Sequence, residues 1–416
     1  METLRNFPHK KVSGLSGNEI FCLSKVGIQP GQLCIGNSVV ALGVMRGLGA
    51  GLSTLGGGEV SEVTQLVHDG RMKAFDRMMV EAKQNPSIGI TGVSFDLINH
   101  GGNLEFLTVG STVHNESAIR GQNIFSTSAD AQQLYCQIDS GFKPIHFVFG
   151  NVAYSIGVGG NIMGGLKRLK RGEVTEYSQI FDDTRHLALS RISAEAKKHR
   201  ANSVVGIQTT ITPLFGTQEM MMIGTASSHP ALESYSENPV TSDMTNEEMW
   251  NLVNLGYLPL RLVMGVSVYS LGFTGGIMSA LQSLGGGEVD GLTEILYEAR
   301  EKALARIERE AERIGADEVI GVKTRIYDLG GGLVEFMAMG TAVKKFPNVT
   351  TISPSLLPQA IIRDQDTFVD DSEGGNVGLN SSKAASSVRL QRGPVSIIAF
   401  IMIIAFYILK IVLHHS

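Results

Sequence analysis

Three glycine-rich steps that end in a glutamate are the residues whose spacing first suggests chemistry. They are Gly56-Gly57-Gly58-Glu59, Gly172-Glu173 and Gly285-Gly286-Gly287-Glu288. Each precedes a long amphipathic stretch, and a glycine loop feeding a helix can present backbone N–H groups to a phosphate. Two features oppose that chemistry here. A carboxylate stands where the anion would sit, and no Gly-Lys-Ser/Thr follows. A first-turn carboxylate already suits the helix dipole. The expected role is therefore structural, with Gly58, Gly172 and Gly287 making tight turns or close approaches and Glu59, Glu173 and Glu288 capping the helices. No cofactor is expected.

The remaining candidate groups form no recurring set. The ten histidines, among them His68, His100, His186 and His199, do not recur at equivalent positions, and no His-x3-His or Cys/His cluster appears. Cys22, Cys34 and Cys136 cannot all pair and lack Cys-x-x-Cys spacing, a pattern that supports neither a disulfide framework nor a zinc knuckle and suits a reducing compartment. Asp182-Asp183 and Asp370-Asp371 read as solvated charge. Lys167, Arg168, Lys170 and Arg171 form a basic patch on a chain of net charge −5, able to meet an anionic lipid or nucleic acid. No aromatic residues interleave them, so no specific nucleic acid is expected, and an exposed loop or a salt-bridged subunit contact is the plainer reading. No Gly-x-Ser-x-Gly elbow occurs, and spacing suggests neither a Ser-His-Asp nor a Cys-His arrangement. Thr225 and Thr341 follow glycine on apolar strands and read as strand residues. Catalysis is not expected.

The elements that would position these groups repeat. Gly43, Gly157 and Gly272 come into register, as do Glu59, Glu173 and Glu288, and Gly92, Gly206 and Gly321, at offsets of 114 and 115 residues (157−43 and 272−157, for example). A period of that length is one domain. Three copies are expected, over 18–115, 122–229 and 246–345. In the first, the apolar runs Ile20-Phe21-Cys22-Leu23 and Leu33-Cys34-Ile35 flank Gln29-Pro30-Gly31-Gln32, a pattern that predicts two strands and a turn. A long helix follows in each copy. In the third, Leu292, Leu296, Ala299, Ala303, Ile307, Ala311 and Ile314 share one side, with Glu298 and Lys302 paired on the other. Two Gly-rich strands close each copy. The expected fold is α+β: three tandem two-layer domains, each a helix on an antiparallel sheet.

Outside the copies, residues 1–17 predict a flexible polar arm and 346–393 a disordered tether rich in Ser, Asn and Asp. Residues 394–413 include VSIIAFIMIIAFYILKIVL, close to the roughly 20 apolar residues that span a bilayer. Lys383, Arg389 and Arg392 precede this run, so the positive-inside rule predicts a tail-anchored, single-pass protein with its N-terminal body in the cytosol.

Gly285-Gly286-Gly287-Glu288, the charged helix ending in Arg313-Ile314-Gly315-Ala316-Asp317-Glu318-Val319-Ile320-Gly321-Val322, and Met337-Ala338-Met339-Gly340-Thr341-Ala342-Val343 together resemble the YbjQ-like family, whose label refers to heavy-metal binding. The first two copies resemble it less closely. The second has Lys170-Arg171 in place of two glycines, and the first carries Gly70 inside its helix. The resemblance implies self-association into a closed ring, so the chain's expected partners are further copies of itself, with the lipid bilayer held through the C-terminal run. Three joined copies could fill positions in one ring or build three stacked rings. The differing loops favour the stack. The expected function is a membrane-attached structural assembly, with a small-ligand or metal site at subunit interfaces as the alternative.

Overall fold

Each repeat begins with a short helix. In the computed structural model, which describes residues 12–41, 58–100, 103–155, 172–214, 217–270, 290–330 and 333–362, the run expected as the first strand is α1 (Gly17–Lys25). Cys22 and Leu23 point inward while Ile20 and Phe21 point out, a pairing of adjacent positions that a two-residue period cannot produce. A capping box starts the helix: Ser16 N donates to Glu19 at 2.7 Å and Glu19 N donates to Ser16 Oγ at 3.4 Å. Asp130 caps α3 (Ala131–Asp139), and Thr245 with Glu248 caps α5 (Asn246–Asn254), at the corresponding places in repeats two and three.

The expected turn at Pro30-Gly31 is also absent. β1 (Gln29–Ala41) runs straight through it, and the irregularity appears as a register shift between Pro30 and Leu33 against β4 (Asn103–His114). A bulge accommodates the missing proline N–H without ending the strand. The elements of repeat one are then β2 (Gly58–Glu59), α2 (Ser61–Ala82) and β3 (Gly89–His100). Repeat two supplies β6 (Lys143–Ser155), β7 (Gly172–Glu173), α4 (Thr175–Lys198), β8 (Ser203–Leu214) and β9 (Thr217–Ser228). Repeat three supplies β11 (Tyr257–Ser270), α6 (Asp290–Arg313), β12 (Glu318–Gly330) and β13 (Leu333–Lys345). Two short connector strands, β5 (Phe125–Ser126) and β10 (Val240–Thr241), complete the set.

In every repeat the last long strand is central and antiparallel to both neighbours: β1-β4-β3, β6-β9-β8 and β11-β13-β12. β5 and β10 add in parallel to β3 and β8. The landmark glycines Gly92, Gly206 and Gly321 all have φ between +63° and +67° and sit at register shifts in β3, β8 and β12. Bulges there explain their recurrence.

The long helix of each repeat covers its own sheet. Among the described side chains of α6 the buried seam is Ile295, Ala299, Ala303, Ile307 and Ala311, with Ile295 buried in place of the expected Leu296, and Leu292 lies outside the described side chains. Lys302 and Glu298 pair at 3.0 Å on the outer side. Helix and strand approach closely because Gly36, Gly150 and Gly265 lie beneath the helix: a Cβ on them would fall 2.0, 2.4 and 2.1 Å from the carbonyl oxygens of Ala74, Ala188 and Ala303.

Two expected irregular segments are partly built into the body. Leu33 N donates to Val12 O at 2.9 Å, so the chain is tied down from residue 12. Residues 346–362 also pack. Ser353 Oγ donates to Asp139 at 2.7 Å, Gln132 Nε2 to Ile362 O at 2.7 Å, and Ala360 is buried with Cys22, Tyr135, Cys136 and Trp250. The rest of the expected tether, the apolar run at 394–413, the glycines Gly43, Gly157 and Gly272, the step Gly287-Glu288 and the patch Lys167, Arg168, Lys170 and Arg171 lie outside the described residues. Among the described residues, no helix is long and apolar enough to cross a membrane.

Candidate functional site

The Gly58-Glu59 and Gly172-Glu173 steps lie at the joints between repeats. Gly58 and Gly172 adopt φ of +104° and +135°, a region that side-chain-bearing residues rarely enter. That conformation swings each Gly-Glu pair off the helix axis and onto the first strand of the following repeat. β2 pairs antiparallel with β6, placing Gly58 against Ser155 and Glu59 against Tyr154. β7 does the same on β11, with Gly172 against Ser270 and Glu173 against Tyr269. Val60 N then donates to Ala153 O, and Val174 N to Val268 O, both at 2.8 Å.

The glutamates consequently do not cap their own helices. The N-cap residues are Val60 and Val174, and neither makes a side-chain cap bond. Each carboxylate reaches the helix of the next repeat instead. Arg191 lies 2.8 Å from Glu59, and Arg306 and Lys302 lie 3.0 and 3.1 Å from Glu173. Burial pushes the Glu173 carboxyl up, but Lys302, Ser178 and Arg306 outweigh it and hold it below the usual carboxylate range. Lys302, Arg306 and Arg309 also line an open groove of about 430 Å³ with Glu173, Glu308 and Glu312, so its two signs largely answer each other.

A second ion pair lies deeper in each joint and had no counterpart among the residues singled out from sequence. Arg71 of α2 forms a bidentate pair with Glu219 of β9, its Nη2 at 2.7 Å, and Asn151 Nδ2 donates to the same carboxylate at 3.1 Å. Arg185 of α4 donates to both oxygens of Glu335 on β13 at 2.9 and 3.0 Å. The Arg185 and Glu335 side chains are 0% and 1% exposed. Burial penalises the Arg185 charge, yet Glu335 and Tyr154 hold the guanidinium protonated beyond its ordinary range. The guanidinium also lies 4.5 Å from the centre of the Tyr154 ring. The signal that could have found these pairs was the repeat itself, since Arg71 and Arg185 are 114 residues apart (185−71), as are Glu105 and Glu219 (219−105).

Apolar packing joins the same surfaces. α2 packs against β1 and β4 and also against β6 of repeat two, and α4 likewise against β6, β9 and β11 of repeat three. Phe75 stacks on Phe147 at 5.6 Å, and Leu189 is buried with Leu262, Met264 and Val266. α2 and α4 are therefore each shared by two sheets, whereas α6 packs on its own sheet. Successive repeats of one chain meet in a row through one recurring contact.

Histidines occupy both joints without gathering into a ligand set. His186 of α4 approaches Asp182 at 3.6 Å and Glu310 of α6 at 3.4 Å. Burial opposes its charge, but Glu310 and Asp182 prevail and raise it to about 9. His146 stacks on His199 at 3.8 Å between ring centres, and burial together with that neighbour pushes His146 down to about 4.

Fold and joints together define a tandem-repeat protein whose three sheet-plus-helix units are locked by strand addition and buried ion pairs. A family model described as "Putative heavy-metal-binding" matches residues 28–116, 142–229 and 258–345, and the chain belongs to this YbjQ family. An encapsulin nanocompartment protein of Mycobacterium tuberculosis is 29% identical over 255 residues, covering 59% of this chain and 95% of that protein. A UPF0145 protein of Thermoplasma acidophilum is 37% identical over 99 residues, 22% of this chain and 83% of that protein. A UPF0145 protein of Thermotoga maritima is 45% identical over 85 residues, 20% of this chain and 80% of that protein.

The family description invites a metal, and the described residues do not fit one. No three His, Cys, Asp or Glu side chains among them gather closely enough to hold an ion. Cys22 and Cys34 are free and buried, and burial pushes their thiols to about 11 and about 12, away from the thiolate that ligates metal.

Proposed function

We propose that this protein is a structural, self-assembling scaffold, without catalysis, whose YbjQ repeats build a cyclic complex held at a membrane by the C-terminal apolar run. The observation that carries this reading is the construction of the two internal joints. Each combines strand addition, a helix shared by two sheets and a buried arginine–glutamate pair, the components of a permanent subunit interface. The compartment-forming name of the mycobacterial relative supports the same reading. Heterologous contacts of this type close into rings when the rotation per unit allows it and otherwise extend into filaments.

Membrane attachment rests on the apolar run at 394–413 and the preceding basic residues, which orient the repeats toward the cytosol. Several tethered chains in one complex would hold the bilayer more firmly than one helix. Light scattering and negative-stain electron microscopy of the full-length chain test the assembly, with multimeric rings expected. A single-chain mass at every concentration overturns it. Fractionation tests the anchor: the full chain should sediment with membranes, whereas a chain ending at residue 393 should not.

A further inference from the structure

The two internal joints leave one matching half at each end of the row. We propose that chains join head to tail, the repeat-three end of one chain docking on the repeat-one end of a second copy through a joint that reproduces the internal ones. This rests on the self-assembly reading and specifies its surface.

The charges complement each other. Arg300 is the repeat counterpart of Arg71 and Arg185 (300−185 = 115, 185−71 = 114). Those two are buried against glutamates of the next repeat, whereas the Arg300 side chain is 46% exposed and its acidic contact is the adjacent Glu301 at 3.5 Å. At the opposite end, Glu105 is the counterpart of Glu219 and Glu335, each opposite the same strand position: Val39, Ala153 and Val268. Glu219 and Glu335 are 1% exposed, while Glu105 is 18% exposed and meets His100 at 2.6 Å and Asn37 at 3.1 Å. Among the described residues, Arg300 thus meets no glutamate of another repeat and Glu105 no arginine of another repeat.

The apolar surfaces match in the same way. On β1, Ile35 and Val39 are 44% and 57% exposed. Their counterparts Phe149 and Ala153 in repeat two, and Met264 and Val268 in repeat three, are covered by the repeat before them. On β12, Val322 is exposed while its counterparts Val93 and Ile207 are buried.

Backbone geometry supplies a third correspondence. Val93 N donates to Thr127 O at 3.0 Å and Ile207 N to Ser242 O at 2.9 Å, both acceptors belonging to the connector that leads into the next repeat. The counterpart of Thr127 and Ser242 in repeat one is Ser13 (127−13 = 114). Its neighbour is held as the connectors are: Gly14 N donates to Ser111 Oγ at 3.1 Å, just as Ser128 N and Asp243 N donate to Thr225 and Thr341 at 3.3 Å. The segment at 12–14 occupies a connector's place. In the joint, Arg300 pairs with Glu105 of the second copy, β12 receives Val12 and Ser13 in parallel, and Ile35 and Val39 of the second copy pack under α6.

Mass photometry of the full-length chain and of R300E and E105R variants tests the joint. Each single reversal places like charges together in a desolvated site, so association should weaken roughly a hundred- to a thousandfold. Mixing the two variants should restore multimers of alternating composition, because each tail then meets an opposite charge. Thermal melts of both variants as single chains should match the parent, which separates a broken joint from a broken fold. Cysteines at Val12 and Val319, counterparts of the parallel partners Ser126 and Ile90, should form disulfide-linked multimers in V12C/V319C chains and in neither single variant. Parent multimers unaffected by either reversal, or variants that mixing does not rescue, overturn this joint and leave self-assembly standing by another surface. A parent chain that is always single overturns both readings.

Discussion

Arg185 and Glu335 carry the largest single-residue consequence. Removing one partner leaves an uncompensated buried charge, whereas removing both removes the desolvation penalty as well. Arg185→Met should therefore destabilise the chain by about 3–5 kcal/mol, while the R185M/E335M pair recovers most of that loss in denaturant titration. The two histidines set opposite pH limits. His146 is depressed to about 4, so the stability it contributes is complete above about 6.5 and fades as acid protonates the unfolded chain first. His186 is raised to about 9, so its contribution is complete below about 6.5 and fades as the pH rises through 9. Melting temperature should fall on both sides, with His146→Gln flattening the acid limb and His186→Gln the alkaline one.

At the scale of elements, the glycines beneath the long helices set the spacing between helix and sheet. A Cβ at Gly150 would lie 2.4 Å from Ala188 O, and a backbone carbonyl cannot step aside as a side chain can. Gly150→Ala should lift α4 from β6 and cost about 1–3 kcal/mol, measurable as a shifted denaturation midpoint. α4 also packs on β11 of repeat three, so the same variant should expose the α4–β11 contact to hydrogen exchange. The opposite result, local loosening confined to repeat two, would argue that the shared helix does not transmit the strain.

For the whole molecule, shared helices bind three homologous units into one cooperative body. Repeat arrays derive stability from nearest-neighbour interfaces, and here each interface contains a buried ion pair and a strand addition. Calorimetry should give a single transition for residues 12–362, and two separated transitions would show that the joints are weaker than their geometry indicates. The closing segment contributes to this unity. Truncation after residue 345 removes Ala360 from the cluster containing Trp250 and Tyr135 and removes the Ser353 contacts to Asp139, so it should lower the melting temperature by several degrees, as a loss of about 1–2 kcal/mol does in a domain of this size.

The 114- and 115-residue offsets, the seam of α6 and the three Gly-rich strand pairs were all legible in the sequence because hydrophobic periodicity and recurring glycines are local signals. The same local reading mistook α1 for a strand: four consecutive apolar residues fit either period, and the Ser16–Glu19 capping box decides between them only once the chain turns there. It also gave Glu59 and Glu173 to their own helices, the nearest positive poles along the chain. By itself, then, the sequence determined that there are three like units and where each long helix and each closing strand pair lies. Only the tertiary structure decided that the Gly58-Glu59 and Gly172-Glu173 steps belong to the next unit, and that Arg71 and Arg185 find glutamates 148 and 150 residues away. A contact across such a distance leaves no periodic mark of its own. It arises because a glycine at positive φ redirects the backbone, and because a charge buried by the neighbouring sheet must be answered there.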